Sequence, residues 1–527
     1  MGIRLGFSKE EWIYPVAILI LGFSYYLSYF NYGIRLSDEG FLVDGAERVL
    51  RGQLPISDFI SYTPGSYFLL ALLFGLFGVN LLVSRFMEIC FLLINGLLMF
   101  YIGRRLMPSR WALIPSFVLI LFPGPWYKVF FAFGLLLPLI ALLRFLEKKA
   151  RARILTVGLT IGIALVFKLE AGFYSLVTVL MVLFLDHTFG AEGPLFDRKA
   201  ILGFLKNLFF CSLPCVIIIV LFLIYYQFRS ALIIFFSSLM ESYGSTNVSS
   251  VIEYFGKPSF LKALTTFHLG SLQHLFFYLI LFLYLYFLRR ALIHLLIERR
   301  KDFPKFLSVL VMGILSLTYV YNFFGKSHLL QSAAMAYLLF GSVIQSAAKE
   351  QRTRSKVLLI VLVLLLGLYV LDNLKGRDYF LSGSISRLYS IRKEGVKPIV
   401  SSKGRIFVGK RQFNNINGLI HFFEGKEGYL LPLSYEPMVN FLTGLENPTR
   451  FTILFPASLK DPIRQKQVIE EVEKYKVKYL LIRQPMWVSQ DRLGFIKYAP
   501  MLYEFILSRY RLEKTIEGYL IFSPQPL

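Results

Sequence analysis

Asp38 and Glu39 stand side by side just past the first apolar segment of the chain. Ionisable groups at a membrane boundary are costly, so they either cap something or do something. Two readings fit these acids. In one, Ser37 or Asp38 caps the helix that follows and satisfies its free amides. In the other, Ser37 caps while Asp38 serves as a general base, taking a proton from an attacking hydroxyl. Asp58 follows in the same loop, ahead of Tyr62-Thr63-Pro64-Gly65. It reads as a turn-capping acid or as a second carboxylate that orients a sugar.

Cations complete the list. Arg85 and Glu88 are spaced i, i+3 at the outer end of the second span. They suit a helix-surface ion pair, or Arg85 suits bidentate contact with a phosphate. Lys168 and Glu170 share a very short turn between two apolar helices, where burial requires that they face each other or a wet cavity. Lys326 and His328 lie in another short turn, after Tyr319, Tyr321 and Asn322. Together these groups would set several cations at one depth around the mouth of a helix bundle. Stabilising a departing lipid phosphate needs such an arrangement. The outer segments hold no Asp-x-Asp and no compact His/Glu cluster, so no metal site is read. There is no P-loop or dinucleotide fingerprint. No cofactor is expected, with a divalent metal left open.

The scaffold that must position these residues is a membrane one. The chain has 527 residues, 56% of them hydrophobic and 17% aromatic. Its mean hydropathy is +0.59. Long apolar runs exclude a soluble globule and a β-barrel, and lipid demands backbone bonds satisfied within each helix. Candidate spans fall at about 12–30, 82–102, 111–123, 128–145, 154–167, 171–186, 207–227, 272–289, 306–321, 328–346 and 356–372, about eleven in all. The first lacks a small-x-small exit and reads as an uncleaved anchor. The net charge of +24 reflects basic loops that hold orientation and touch anionic lipid heads, not nucleic acid. With the N-terminus cytoplasmic, roughly 23 Lys/Arg fall inside against about 9 outside. The C-terminal region is then extracytoplasmic. Cys90, Cys211 and Cys215 lie in apolar segments and form neither a disulfide framework nor a zinc site.

Two domains follow. Residues 1–372 form the transmembrane domain, with a first external loop at 31–81. In that loop Leu42, Ala46, Val49 and Leu50 repeat with helical period, opposite Asp44, Glu47, Arg48 and Arg51. This predicts an amphipathic helix lying on the membrane surface. Residues 66–78 predict a juxtamembrane helix too short to span. A second outer loop runs from 228 to about 270. Residues 373–527 read as a small external α/β domain. Its expected strands are 405–409, 429–433, 478–483, 511–516 and 519–522. A helix opens at Asp461-Pro462 and runs to about Tyr475, and another covers 499–509.

Ser37-Asp38-Glu39-Gly40, the helix ending in Arg51-Gly52-Gln53, then Asp58, Tyr62-Thr63-Pro64-Gly65, Phe77-Gly78 and Arg85 together resemble the GT-C glycosyltransferases. The branch is that of bacterial homologues of protein O-mannosyltransferases and of the lipid A aminoarabinose transferase. Phe167-Lys168-Leu169-Glu170-Ala171-Gly172 and the layout of spans with an external tail fit the same group. So do Phe441-Leu442-Thr443-Gly444 and Asn447-Pro448-Thr449-Arg450. The resemblance implies a polyprenyl-phosphate sugar donor and a glycan, lipid or protein acceptor at the outer face of the cytoplasmic membrane. It implies an Asp of the first external loop as catalytic base, and Asp38 matches it. Glu39, Asp58, Tyr62, Lys168 and Glu170 become substrate-binding candidates. Arg85, Lys326 and His328 become candidates for the donor phosphate. Relatives often have two prolines at Thr63-Pro64, and an Arg and an acid before the His near Lys326, which this chain lacks. Two rivals remain at this stage. One is a transporter or lipid flippase gated by Lys168 and Glu170, and the other is an O-antigen ligase or polymerase.

Overall fold

The computed structural model describes residues 9–189, 198–244, 258–259, 262, 272–293, 303–322, 326–349, 391–454, 456–489 and 494–526. The expected span at 356–372 and most of the loop at 228–270 lie outside these residues. The chain divides into two compact units. One comprises Met1–Tyr29, Glu88–Tyr225 and Phe255–Ser386, and the other comprises Phe30–Met87, Tyr226–Tyr254 and Arg387–Leu527.

The first unit is helical. It contains α1 (Ile13–Leu27), most of α4 (Leu81–Leu106), α5 (Ser109–Leu121), α6 (Val129–Glu147), α7 (Arg151–Phe167), α8 (Leu169–Phe189) and α9 (Arg198–Phe228). Helices Leu272–Ile293, Phe303–Asn322, Lys326–Ser332 and Ala334–Lys349 complete it. Among the described residues, six helices are long and apolar enough to cross a membrane. α9 is the extreme case, with a mean hydropathy of 2.8 and only 11% of its apolar window buried. A helix that shows that much apolar surface needs lipid as its solvent. The core joins Met99, Leu135, Leu139, Tyr284, Met312 and Leu338. The chain is thus a multi-pass membrane protein. One expected span differs in form: 328–346 is broken after Ser332, where Lys326–Ser332 gives way to Ala334–Lys349. The Ser316 hydroxyl lies 3.2 Å from the Ser332 carbonyl and supplies a donor where the helical ladder stops.

The second unit holds α2 (Asp38–Leu50), α3 (Gly65–Phe77), α10 (Leu232–Gly244) and an α/β region after residue 387. α3 has 13 residues, about 20 Å, well short of a bilayer core. Strands β1 (Val396–Ser401) and β2 (Gly404–Gly409) form an antiparallel pair. Strands β3 (Leu430–Pro432), β4 (Tyr479–Arg483), β5 (Tyr510–Ile516) and β6 (Tyr519–Pro524) form one sheet in the order β3-β4-β6-β5. β3 and β4 are parallel, so a crossover must join them, and it carries helices Met438–Thr443 and Pro462–Lys474. Asp461 caps the second of these by accepting from Ile463 N at 2.9 Å, with Pro462 opening the helix. β2 to β6 fall where their sequence pattern puts them. β1 and the helix Lys410–Phe423 were not read from the sequence.

Candidate active site

The acid pair opens α2, where negative charge suits the helix N-terminus. Ser37 occupies the N-cap position, yet its side chain makes no capping bond; its Oγ accepts from Arg35 Nε at 3.3 Å. Asp38 turns its carboxylate toward a cation and two phenols. Its Oδ2 pairs with Arg35 Nη2 at 2.7 Å, and its Oδ1 accepts from Tyr435 Oη at 2.7 Å and weakly from Tyr62 Oη at 3.5 Å. Asp38 is 8% exposed. A buried carboxylate needs a counter-charge and hydrogen bonds, and Arg35 and the phenols supply both. Phe41 packs edge-on against Tyr62 and Tyr435, so the two phenols and the carboxylate share one wall.

Glu39 points elsewhere. Its Oε1 receives Arg85 Nε at 2.7 Å, and its Oε2 receives the Arg35 backbone amide at 2.9 Å. The Arg85 guanidinium also donates to the carbonyls of Phe30, Tyr32 and Gly33. Both side chains are buried. Arg85, expected to meet a helix neighbour or a donor phosphate, is therefore committed to Glu39 and the chain entering α2. Asp58 is exposed, and its Oδ2 closes its own loop by accepting from Leu54 N at 2.7 Å.

That loop is held from several sides. Tyr226 Oη donates to Pro55 O at 2.9 Å, and Arg229 Nη2 to Gly52 O at 2.6 Å. Ile60 N donates to Arg450 O at 2.8 Å. Between these anchors Ile56 adopts φ +68°, a conformation that costs a β-branched residue free energy and persists only where the surroundings enforce it. Thr63-Pro64 then leads into α3, which starts at Gly65. Tyr67 Oη accepts from Tyr62 N at 3.2 Å and fixes the backbone that carries the Tyr62 phenol.

α2 is less wet than its periodicity predicts. Asp44 is 3% exposed and Arg48 1% exposed, although both fall on the face expected to meet solvent. Arg48 donates to Gln53 Oε1 and Thr449 O and lies over the Phe59 ring. Burial pushes the Asp44 carboxyl up to about 6, with the Arg48 charge opposing the rise. Burial likewise pulls Arg48 down to about 10. An acid with a raised folded value binds its proton more tightly folded than unfolded, so between about 4 and about 6 stability falls as pH rises. Wild type should therefore gain stability relative to Asp44→Asn as pH drops from 7 to 4.5, by at most about 3 kcal/mol. Paired thermal unfolding curves at the two pH values check this.

Gly40, next to the acids, is where α2 meets the second unit's C-terminal region. A Cβ there would lie 2.2 Å from Met438 N. Backbone cannot yield as a flexible side chain can, so Gly40→Ala should displace the first turn of α2 and cost about 1–3 kcal/mol. The measurement is thermal unfolding, whose midpoint should fall.

The first unit gathers the cations at the shared ends of α6, α7, α8 and the helices after residue 303. Lys128 Nζ lies 2.7 Å from His328 Nε2. Tyr319 meets the His328 ring edge-on and stacks on Phe131, while Phe130 and Phe133 pack on Phe167, beside Lys168. Lys168 pairs with Glu170 at 3.2 Å. Lys326 begins a helix, but its side chain lies outside the described residues. Three residues of these two sites were not singled out from the sequence. Lys128 lies in a loop read only as lacking acids. Arg35 had a signal, its i, i+3 spacing from Asp38. Tyr435 had none, because it is 397 residues from its partner. Among the described residues, no group of three or more His, Cys, Asp or Glu could hold a metal ion.

No protein-family model and no curated protein matches the chain. Solved structures do. The archaeal oligosaccharyltransferase AglB from Archaeoglobus fulgidus, in complex with an inhibitory peptide and a dolichol-phosphate, aligns with TM-score 0.55 at 12% identity, over 98% of this chain and 74% of that one. ArnT from Cupriavidus metallidurans, bound to undecaprenyl phosphate, aligns with TM-score 0.53 at 11% identity, over 99% of this chain and 100% of that one. The apo form of the same ArnT gives 0.50 at 11% identity, over 98% and 99%. The chain therefore shares its fold with these AglB and ArnT structures.

Proposed function

We propose that this protein is a glycosyltransferase that moves a sugar from a polyprenyl-phosphate donor to an acceptor at the outer face of the cytoplasmic membrane. The observation that carries the reading is the Asp38 carboxylate, placed between Arg35 and two phenols within a glycosyltransferase fold. In the proposed reaction the acceptor hydroxyl attacks the anomeric carbon as its proton passes to Asp38. The bond from that carbon to the phosphate oxygen breaks, the configuration inverts, and polyprenyl phosphate departs. Tyr62 and Asp58 border the acceptor or sugar, while Glu39 and Arg85 hold the loop. The transporter and ligase rivals find no comparable support, since the matched folds are an oligosaccharyltransferase and ArnT, and the matched ArnT structure holds a polyprenyl phosphate.

For the departing phosphate we assign Lys128 and His328, with Lys168 nearby. Lys128 Nζ lies 2.7 Å from His328 Nε2, so an ammonium and an imidazole, both groups that bind phosphate oxygens, share one place. α6 starts at the next residue, and its dipole favours negative charge at the same end. The excess of Lys and Arg in the opposite loops supports the reading that these ends face outside. A charge-assisted bond contributes about 1.5–3 kcal/mol, so Lys128→Gln should weaken undecaprenyl phosphate binding by roughly 10- to 100-fold. Titration of the purified protein with undecaprenyl phosphate measures this. The function itself is tested by comparing envelope glycans in a deletion strain. Wild-type protein should restore a missing sugar that Asp38→Asn does not, and identical glycans with and without the gene would refute the reading.

A further inference from the structure

The C-terminal α/β region reaches the acid pair through both main chain and side chain. The segment entering α2 is bonded to it residue by residue. Gly33 N and Asn31 O pair with Phe407. Ile34 O accepts from Gln412 Nε2, and Leu36 O from Met438 N. The Tyr435 phenol then donates to Asp38. Tyr435 sits just past the carboxyl end of β3, a position where open α/β sheets present functional groups.

The residue after it explains how the phenol is held. Glu436 is 1% exposed. Its Oε1 receives Tyr519 Oη at 2.8 Å and Arg483 Nε, and its Oε2 receives Ser434 Oγ at 2.8 Å. Arg483 ends β4 and Tyr519 begins β6, so the loop is fastened to two central strands of the sheet. A carboxylate bonded on both oxygens leaves its neighbour little freedom. Burying an acid is costly and is offset only by full pairing.

We infer that loop 434–437 is a positioning element for the base: Tyr435 sets the orientation of the Asp38 carboxylate, and Glu436 anchors Tyr435 to the sheet. The inference rests on the reading of Asp38 as base. It gives the C-terminal region a part in catalysis apart from any binding it does. With Arg35 on one oxygen, the bond from a fixed phenol on the other sets how the Asp38 carboxylate is turned, and misplacement by about 1 Å costs up to 100-fold in rate.

The test uses the full chain in lipid nanodiscs. Transfer is read from a radiolabelled undecaprenyl-phosphoryl sugar prepared from host membranes, and affinity is read with undecaprenyl phosphate. Tyr435→Phe should lower the transfer rate tenfold or more, keep undecaprenyl phosphate affinity within twofold, and leave the unfolding temperature unchanged. Glu436→Gln, which keeps the shape of the anchor, should lower the rate severalfold with the same affinity. In an Asp38→Asn background Tyr435→Phe should cost nothing further. If Tyr435→Phe transfers at the wild-type rate while Asp38→Asn is inactive, the positioning role is refuted and the base survives. An equal loss of rate and affinity, or an undiminished loss in the Asn background, also refutes it. A fully active Asp38→Asn overturns the base reading instead.

Discussion

Arg85→Met should cost the unit that carries it about 3–5 kcal/mol and lower its unfolding temperature by on the order of 10 °C. The guanidinium neutralises the buried Glu39 carboxylate and satisfies three carbonyls of the segment entering α2. Removing it strands a buried charge and unpairs backbone carbonyls, the one of Gly33 buried, which costs more than the pair itself contributes. The double variant Glu39→Gln/Arg85→Met should recover part of the loss, since no charge is then left alone. Thermal unfolding of the four proteins decides the point. A single variant as stable as wild type would mean that the pair does not hold the loop. A large loss of undecaprenyl phosphate affinity in Arg85→Met with unchanged stability would restore Arg85 to the donor phosphate.

Asp38→Asn should lower transfer by about 10²- to 10⁴-fold, the usual contribution of a general base. The substitution keeps the side-chain shape and can still meet a phenol through its amide. It loses the charge paired with Arg35 and the capacity to take a proton. Because Glu39 and Arg85 hold the loop by separate bonds, the fold should survive. Asp58→Asn should cost less, since that carboxylate already accepts from its own loop and an amide oxygen can accept the same bond.

The sequence shows repeating patterns clearly and distant partners poorly. Strands β2 to β6 and the Asp461-Pro462 helix start were readable because alternation, caps and prolines are local signals. β1 carries a proline within six residues, which blurs its pattern. The helix Lys410–Phe423 is rich in Asn and carries a Gly, and such residues weaken a helical reading even though Ile416, Leu419 and Phe423 line its buried side. For α2 the period was legible but not what covers it. Asp44 and Arg48 read as a solvated face, and the fold buries both. The site shows the same division. Asp38 and Glu39 stand out by type and place, and the turn before them invites a cap by Ser37 or Asp38, which the Ser37 side chain does not perform. What separates them is the company each keeps. Glu39 is bound by a helix 46 residues on, and Asp38 by a loop near the far end of the chain. Such pairings follow from topology, and no window along the sequence contains them.

In the proposed reaction Asp38 does chemistry and not scaffolding. The direct measurement is the transfer rate of Asp38→Asn in lipid nanodiscs, taken beside its undecaprenyl phosphate affinity and unfolding temperature. A general base at Asp38 requires a rate lower by at least about 10², with affinity and stability near wild type. A rate within twofold of wild type would contradict it, as would a loss of activity matched by a loss of stability.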